Sequence, residues 1–364
     1  MKFTVLYIGG FQLPEENAAA QRVVGIGKGL KAIGYDVIFL NSLKKYNNSE
    51  IQKKEYFGFK CFEYKRESNF DYLISAKTSI NMIKTINPYA VIAYNYPAMA
   101  LNNIRKYCKK KKIKCLADVT EWYNTFGKNI FIKMIKSFDT FYRMRYVHKK
   151  MDGIIAISKY LFEYYHNDTK TVIIPPTVDL DDEKWNVQVT KDDSRISFTY
   201  AGSPSAAKEK LDKIVNAVSL VEKSNEIVLN IVGITKEQFT CMYSWNDYIS
   251  NNVIFWGRVN HKKAIQIVKQ SNWTVILREN NRMVKAGFPT KLSESISCGT
   301  PVLINHFSNV FDYLTPENSI CVDDINNIAN YMMLACKTNI VINNTIFDYH
   351  KYLLELDALF KNNN

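Results

Sequence analysis

Short apolar runs alternate with amphipathic stretches along nearly the whole chain. The first group has a strand at residues 2–9, a helix from about Ala18 to Ile33 and a strand at Asp36–Leu40. Apolar strands that alternate with helices are typical of a parallel sheet covered on both faces. Further strands are predicted at Ala90–Tyr94, Lys114–Asp118, Gly153–Ile157 and Thr171–Ile174.

A second group of strands and helices follows a polar stretch, Asp179–Ser194, which we interpret as an interdomain linker. Its strands are predicted at Ile196–Tyr200, Ile227–Val232, Val253–Phe255, Trp273–Leu277 and Val302–Ile304, and its helices at Lys208–Val221 and His261–Gln270. A chain of 364 residues is too long for one ordinary core. We therefore predict two Rossmann-like domains, at residues 1–180 and 194–344, and a C-terminal amphipathic helix within 345–364 that packs back on the first.

Residues 287–302 form the most informative segment. They follow the strand Trp273–Leu277 and a polar stretch predicted to be a loop, Arg278–Ala286. A short helix is then expected, with Pro289 in its first turn and Gly299 just past its end. A helix N-terminus attracts anions through its free N–H groups and its dipole. Lys291 in the first turn and Glu294 on the same face predict a binding site for a nucleoside diphosphate.

Charge and cysteine content restrict the function further. The net charge is +13, of which residues 1–180 carry +14 and the remainder −1. This asymmetry indicates that the first domain meets an anionic surface. Seven cysteines without CxxC spacing indicate a reducing cytoplasm, and five histidines without paired ligand spacing predict no metal site.

A basic amphipathic stretch spans residues 126–150, with phenylalanine and methionine at helical intervals and lysine and arginine between them. Such helices lie on anionic membranes. The alternative is a helix packed on the sheet with a solvated basic face.

Three segments together carry a family resemblance: Ile174–Asp179, Ala201–Pro204 and Gly287–Val302. They resemble the retaining GT-B glycosyltransferases of family 4, the bacterial surface-polysaccharide type. The resemblance implies two Rossmann-like domains facing a central cleft and a C-terminal helix that crosses back to the first domain. It also implies transfer of a sugar from a nucleotide sugar, UDP- or GDP-linked, without a metal or other cofactor.

The resemblance also assigns roles to residues. Glu294 matches the family glutamate that binds the ribose hydroxyls. Lys208 is the first candidate, and Lys210 the second, for a lysine on the donor diphosphate, where Lys208 and Lys291 would stabilise the leaving group. Donor contacts are further expected from residues at strand ends and in the motif: Gly10, Gly202, Ser203, Arg278, Asn280, Gly287, Phe288, Pro289 and Thr290.

The chain departs from the family pattern at two donor positions. Ala286 stands where a first glutamate is common, and Ser203 stands where an arginine is common. Near Asp118, the family often has a histidine that is absent here. Asp118 or Glu121 is the candidate to orient the acceptor hydroxyl and take its proton, and the alternative is a helix N-cap with Glu121 completing a capping box.

The expected partners are a nucleotide sugar, a saccharide or polyprenyl-diphosphate-linked acceptor, and the anionic cytoplasmic face of the inner membrane, in capsule, exopolysaccharide or O-antigen synthesis. Two other functions stay open. One is a non-catalytic nucleotide-sugar-binding subunit, suggested by Ala286 and Ser203. The other is a nucleic-acid-binding protein, suggested by the basic first half but supported by no recognition motif.

Overall fold

The computed structural model divides the chain into two compact units. The first comprises Met1–Thr177, Ala286–Phe288 and Tyr349–Asn364, and the second comprises Val178–Lys285 and Pro289–Asp348. The residues that the structure describes are 3–14, 17–44, 50–66, 70–123, 130–191, 194–221, 227–338, 340 and 342–361. The start of the basic stretch, including Phe126, lies outside them.

The first unit is built on an eight-stranded sheet in the order β3-β4-β2-β1-β5-β6-β7-β8. Every neighbouring pair is parallel except β3 and β4, which form an antiparallel hairpin. The strands are β1 Thr4–Gly9, β2 Asp36–Leu43, β3 Gln52–Tyr56, β4 Phe59–Lys65, β5 Ala90–Tyr94, β6 Lys114–Val119, β7 Gly153–Ala156 and β8 Thr171–Ile173.

The second unit is built on a six-stranded, all-parallel sheet in the order β11-β10-β9-β12-β13-β14. Its strands are β9 Ile196–Ala201, β10 Ile227–Val232, β11 Val253–Gly257, β12 Trp273–Ile276, β13 Val302–Asn305 and β14 Ser319–Val322. Because all six strands run the same way, the residues that follow them gather at one edge of the sheet. In parallel sheets this edge is where ligands bind.

Helices connect the strands in both units. They are α1 Ala18–Ala32, α2 Lys77–Ile86, α3 Ala98–Lys111, α4 Ile130–Tyr142, α5 Lys159–Tyr165, α6 Leu211–Val221, α7 Lys236–Tyr243, α8 His261–Gln270, α9 Arg282–Ala286, α10 Thr290–Ser297, α11 Ile328–Cys336 and α12 Leu353–Phe360. Single helical turns lie at Asp71–Ser75, Arg143–Val147, His148–Lys150, Glu183–Trp185, Val310–Tyr313, Ile325–Asn327 and Tyr349–Tyr352. No helix in the described ranges is long and apolar enough to cross a membrane.

The predicted α/β class with mostly parallel sheets is confirmed. The C-terminal helix α12 packs in the core of the first unit, where Leu356, Leu359 and Phe360 join the buried cluster around β1. Lys114 on β6 donates to the carbonyl of Phe360 at 2.6 Å. The α-helical part of the tail is shorter than predicted, since a single helical turn at Tyr349–Tyr352 precedes it.

Three local predictions are wrong. The stretch Arg278–Ala286 was predicted as a loop, but its second half is the helix α9. Pro289 is the N-cap of α10 and does not lie in its first turn. The capping box proposed for Asp118 and Glu121 does not form, because residues 120–123 are not helical. Gly299 does end α10 as predicted, with a left-handed φ of +72° that a glycine adopts without strain.

Candidate functional site

The strand ends of the second sheet bring three predicted donor residues into one cluster. Gly202 follows β9, Arg278 follows β12 by two residues, and Lys291 is the second residue of α10. A methyl group placed on Gly202 would lie 3.5 Å from the Lys291 Cε atom. The cluster therefore places a glycine backbone and two cations at the edge of the sheet where ligands bind.

Glu209, which the sequence analysis did not single out, lies at the centre of this cluster. Its Oε1 atom accepts from Lys291 Nζ at 2.6 Å and from Arg278 Nη2 at 2.8 Å. Its Oε2 atom accepts from the Tyr200 hydroxyl. Lys291 Nζ also donates to that hydroxyl at 2.8 Å and lies 4.0 Å from the centroid of the Tyr200 ring. One carboxylate thus holds two cations and a phenol in a buried group.

The charges of this group do not cancel. Burial alone would raise the pKa of Glu209, but Lys291 and Arg278 outweigh burial and lower its pKa to about 2. Burial lowers the pKa of Lys291 to about 8. The attraction of Glu209 raises this pKa, but the repulsion of Arg278 partly opposes that increase. At pH 7 the group therefore holds two cations and one anion, and the net charge of +1 favours an anionic ligand.

The backbone around the cluster is held rigidly. The side chain of Asn305, at the end of β13, accepts from the Arg278 N–H at 2.8 Å and donates to the Arg278 carbonyl at 2.9 Å. Gly202 has a φ of +138° and Gly233, after β10, has a φ of +110°. A methyl group on Gly233 would lie only 2.3 Å from the Gly202 carbonyl oxygen. Gly202 requires glycine because of its positive φ, and Gly233 because of both its positive φ and this close approach.

Glu294 lies one turn further along α10, as predicted for a ribose contact. Its Oε1 atom is 3.0 Å from His261 Nε2, at the start of α8. The Glu294 side chain is 17% exposed. Its carboxylate is close enough to Lys291 to raise the pKa of that residue. Lys291 and Glu294 therefore lie on one face of α10, and their roles towards a phosphate and a ribose stay predictions.

Other predicted donor residues lie outside the hydrogen-bonded group. Lys208 is half-buried, and its ammonium has no hydrogen-bonding or ion-pair partner within the described part of the chain. Ser203 and Asn280 are exposed. Thr290 is the first residue of α10 and follows the buried Pro289. Gly287 and Phe288 are grouped with the first unit.

Asp118 is in the first unit, at the end of β6, and is fully buried. Its carboxylate accepts from Arg22 Nη2 at 2.7 Å and Arg22 Nε at 2.9 Å, and from the Tyr7 hydroxyl at 2.5 Å. Arg22 also donates to the carbonyl of Ile174 at 2.9 Å. Each carboxylate oxygen is occupied, so this geometry favours a structural role for Asp118 over proton transfer. Glu121 is half-buried, and this is the candidate base that the structure leaves accessible.

Gly10 is also in the first unit, directly after β1. A methyl group there would lie 2.1 Å from Arg66 Nη2, so the guanidinium rests against this glycine. Arg66 Nε donates to Ser42 Oγ at 3.2 Å, and the guanidinium stacks 3.5 Å from the Tyr72 ring centroid. Because Gly10 has no side chain, the Arg66 guanidinium can lie at the end of β1.

Glu209, Tyr200 and His261 were missed by reasoning from sequence. Glu209 stands between Lys208 and Lys210 in a Lys-Glu-Lys triplet, which is typical of a solvated surface. The bridge between Glu209 and Arg278 is what turns it inward. Tyr200 reads as an ordinary apolar position of β9. Each of these residues is recognised as part of the site only through its contact with a side chain on another element, which the local sequence does not show.

Residues 181–344 match the family Glycosyl transferases group 1. No curated protein sequence matches the chain significantly.

Among solved structures, a sucrose-phosphate synthase from Thermosynechococcus elongatus aligns with a TM-score of 0.70 and 14% identity, covering 99% of this chain and 98% of that chain. The lipopolysaccharide outer core galactosyltransferase WaaB, in its apo form, aligns with a TM-score of 0.66 and 15% identity, covering 98% and 99%. Anabaena Alr3699/HepE in complex with UDP and glucose aligns with a TM-score of 0.64 and 11% identity, again covering 98% and 99%.

The α/β architecture of this chain is thus that of GT-B glycosyltransferases over its whole length. The matched domain indicates a glycosyltransferase enzyme.

Proposed function

We propose that this protein is a retaining glycosyltransferase of family 4 that uses a UDP- or GDP-linked sugar. The observation that carries the proposal is the buried group in which Glu209 holds both Lys291 and Arg278. Its excess positive charge lies where the donor diphosphate of such an enzyme is expected. Residues of the second unit therefore supply the charge that the leaving group needs.

The diphosphate would accept hydrogen bonds from Lys291 and from the N–H groups at the start of α10. Lys291 gives up part of its contact with Glu209 when it turns to the phosphate. Glu294 would accept hydrogen bonds from the ribose hydroxyls, in place of or alongside His261. As the bond between sugar and phosphate breaks, negative charge grows on the diphosphate, and these hydrogen-bond donors stabilise it. We propose that the reaction needs no metal or other cofactor.

The acceptor hydroxyl would attack the face of the sugar that the leaving group occupied, which retains the anomeric configuration. Glu121 is our candidate to orient this hydroxyl in preference to Asp118, because Asp118 is buried and bound to Arg22. We propose that the acceptor is a saccharide or a polyprenyl-diphosphate-linked saccharide of a surface polysaccharide.

The helix α4 supports attachment to a membrane. Of its residues, Thr140 alone is buried. Phe131 is 72% exposed and Phe138 is 63% exposed, with Ile130, Met134 and Ile135 also exposed. The apolar side chains of α4 are therefore not packed on the sheet, whereas Met144 and Val147, later in the same basic stretch, are buried. Apolar side chains flanked by lysines, as in α4, suit the boundary between lipid headgroups and acyl chains. We propose that the protein attaches peripherally to the cytoplasmic face of the membrane through α4.

Binding to lipid vesicles tests this attachment. We expect the protein to sediment with vesicles that contain phosphatidylglycerol, and to lose most of this binding in a Phe131→Ser, Phe138→Ser double variant. A matched control replaces Phe57 and Leu220, two exposed apolar residues elsewhere, with serine. Equal binding of the α4 variant and the control would contradict the attachment through α4.

Transferase activity is tested by measuring the release of UDP or GDP from a panel of nucleotide sugars with lipid-linked acceptors. We expect Lys291→Ala to lower turnover by about 10²-fold or more, and Glu294→Ala to raise KM for the donor. Lys262→Ala, which removes an exposed lysine on α8, is the control and is expected to leave activity unchanged. Unfolding curves verify that each variant is folded. NMR of the product reports whether the anomeric configuration is retained.

Two results would overturn parts of the proposal. Turnover that survives both Lys291→Ala and Glu294→Ala would remove the assigned donor site. Nucleotide-sugar binding without transfer to any acceptor would favour the non-catalytic binding subunit, which Ala286 and Ser203 suggest.

A further inference from the structure

Three side chains with metal-binding atoms meet at the ends of β13 and β14, in the second unit. His306 directly follows β13, Cys321 is the third residue of β14, and Asp323 directly follows β14. The parallel register pairs Ile304 with Cys321 and the next residues in turn. His306 therefore lies opposite Asp323, beside the Cys321 side chain. His306 is distant in sequence from Cys321 and Asp323, so the spacing of histidines does not reveal the group.

The distances suit a tetrahedral metal ion. His306 Nε2 is 3.7 Å from Asp323 Oδ1, and Cys321 Sγ is 3.5 Å from the same oxygen. All three ligand atoms lie within 4.8 Å of one another. A tetrahedral ion with ligands at about 2.0–2.3 Å spaces those ligands about 3.3–3.8 Å apart. Two of the three separations already match this spacing.

Neighbouring contacts orient the His306 ring and the backbone of Asp323. The His306 ring stacks on Phe311 with 4.0 Å between ring centroids and 21° between their planes. The backbone N–H of Asp323 donates to the Tyr331 hydroxyl at 3.3 Å. Ligands that are already oriented lose little conformational entropy when an ion binds. His306 and Asp323 are 64% and 76% exposed, so an ion reaches the group directly from solvent.

We propose that His306, Cys321 and Asp323 form a binding site for a divalent transition-metal ion of the zinc type. One imidazole nitrogen, one thiolate sulfur and one carboxylate oxygen form a mixed donor set that zinc accepts, whereas Ca²⁺ and Mg²⁺ prefer oxygen ligands alone. A tetrahedral ion bound by these three protein ligands has a fourth coordination position, which water would occupy. Binding forms a metal–sulfur bond and releases the Cys321 thiol proton to solvent.

The test uses the full chain without a polyhistidine tag, kept reduced by a phosphine. Titration with Co²⁺ alone is followed by absorption, because thiolate bound to Co²⁺ gives a charge-transfer band. Titration with Zn²⁺ alone is followed by calorimetry. We expect one ion per chain, loss of the charge-transfer band in Cys321→Ser, and affinity about tenfold weaker or worse in His306→Ala.

Cys241→Ser and His166→Ala are the matched controls, since each removes the same type of side chain from an exposed position elsewhere. Both are expected to bind like the unchanged protein. Absence of binding to the unchanged protein would overturn the site, and so would affinities unaffected by Cys321→Ser and His306→Ala. None of these residues belongs to the group around Glu209, so the result is independent of the proposed transferase activity.

Discussion

The pKa of Lys291 makes nucleotide binding depend on pH in a defined way. Burial lowers this pKa to about 8, with Glu209 raising it and Arg278 lowering it. Between pH 7 and pH 9 the ammonium form of such a lysine falls from about nine tenths to about one tenth of the molecules. If the diphosphate binds only the ammonium form, its affinity falls about tenfold, or about 1.4 kcal/mol, over this range.

The direction in which nucleotide affinity changes with pH follows from the linkage between nucleotide binding and proton binding. A bound diphosphate stabilises the ammonium form, so binding takes up a proton when the pH exceeds the pKa of free Lys291, and affinity decreases as pH rises. The last phosphate proton of the nucleotide leaves near pH 6, at about the second pKa of a phosphate group, so the phosphate charge is constant across the range.

Calorimetric titration with UDP and with GDP at pH 7, 8 and 9 measures the effect. The matched variant is Lys291→Arg, whose guanidinium stays charged throughout this range. Any titration of the nucleotide base is common to both proteins and cancels in the comparison. We expect the tenfold loss in the unchanged protein and a nearly flat profile in the variant. An equal loss of affinity in both proteins would refute the reasoning that Lys291 meets the diphosphate.

Three further predictions concern stability. Glu209→Gln should lower the free energy of unfolding at pH 7 by about 3 kcal/mol, because the pKa of Glu209 in the folded protein, about 2, lies below the usual glutamate value of 4.5. This stabilisation is present above pH 4.5 and is lost as pH falls towards 2, so urea unfolding should show the stabilities of the two proteins converging in acid. Gly233→Ala should cost about 2 kcal/mol or more, since its methyl would lie 2.3 Å from a backbone carbonyl oxygen, whereas Gly299→Ala shares the left-handed backbone, meets no atom within 4 Å and should cost less in the same assay. Arg22→Met should cost about 3–5 kcal/mol by stranding the Asp118 carboxylate, and adding Asp118→Leu should recover part of that loss in thermal melts; a double variant with fully additive losses would contradict the pairing.

Much of the fold follows from local pattern, and the exceptions have physical causes. Long apolar runs such as β5 and β10 are buried on both faces, so their sequence alone identifies them. The hairpin of β3 and β4 was missed because Gln52–Tyr56 is mostly charged and lies at the edge of the sheet, where one strand is largely solvated. The helix α9 was missed because its five residues are too few to show a helical period.

Less of the candidate site than of the fold could be predicted from the local sequence. Lys291 and Glu294 are three residues apart on one helix, so their spacing reveals a shared face. Glu209 and Arg278 are brought together by a bridge between two loops, which no local pattern reports. Asp118 was proposed as a base because it ends a strand. Its actual partner, Arg22, lies on a helix 96 residues away in sequence.

The departure at Ser203 has a structural counterpart in Arg278. The family resemblance places an arginine directly after the glycine that ends β9, where this chain has an exposed serine. Arg278 instead reaches the group from the end of β12, and its guanidinium lies 2.8 Å from Glu209. Because β9 and β12 are neighbours in a parallel sheet, their ends lie side by side. A cation from either strand end can thus face the same position, and the proposed diphosphate-binding site has a second positive charge although the residue beside Gly202 has none.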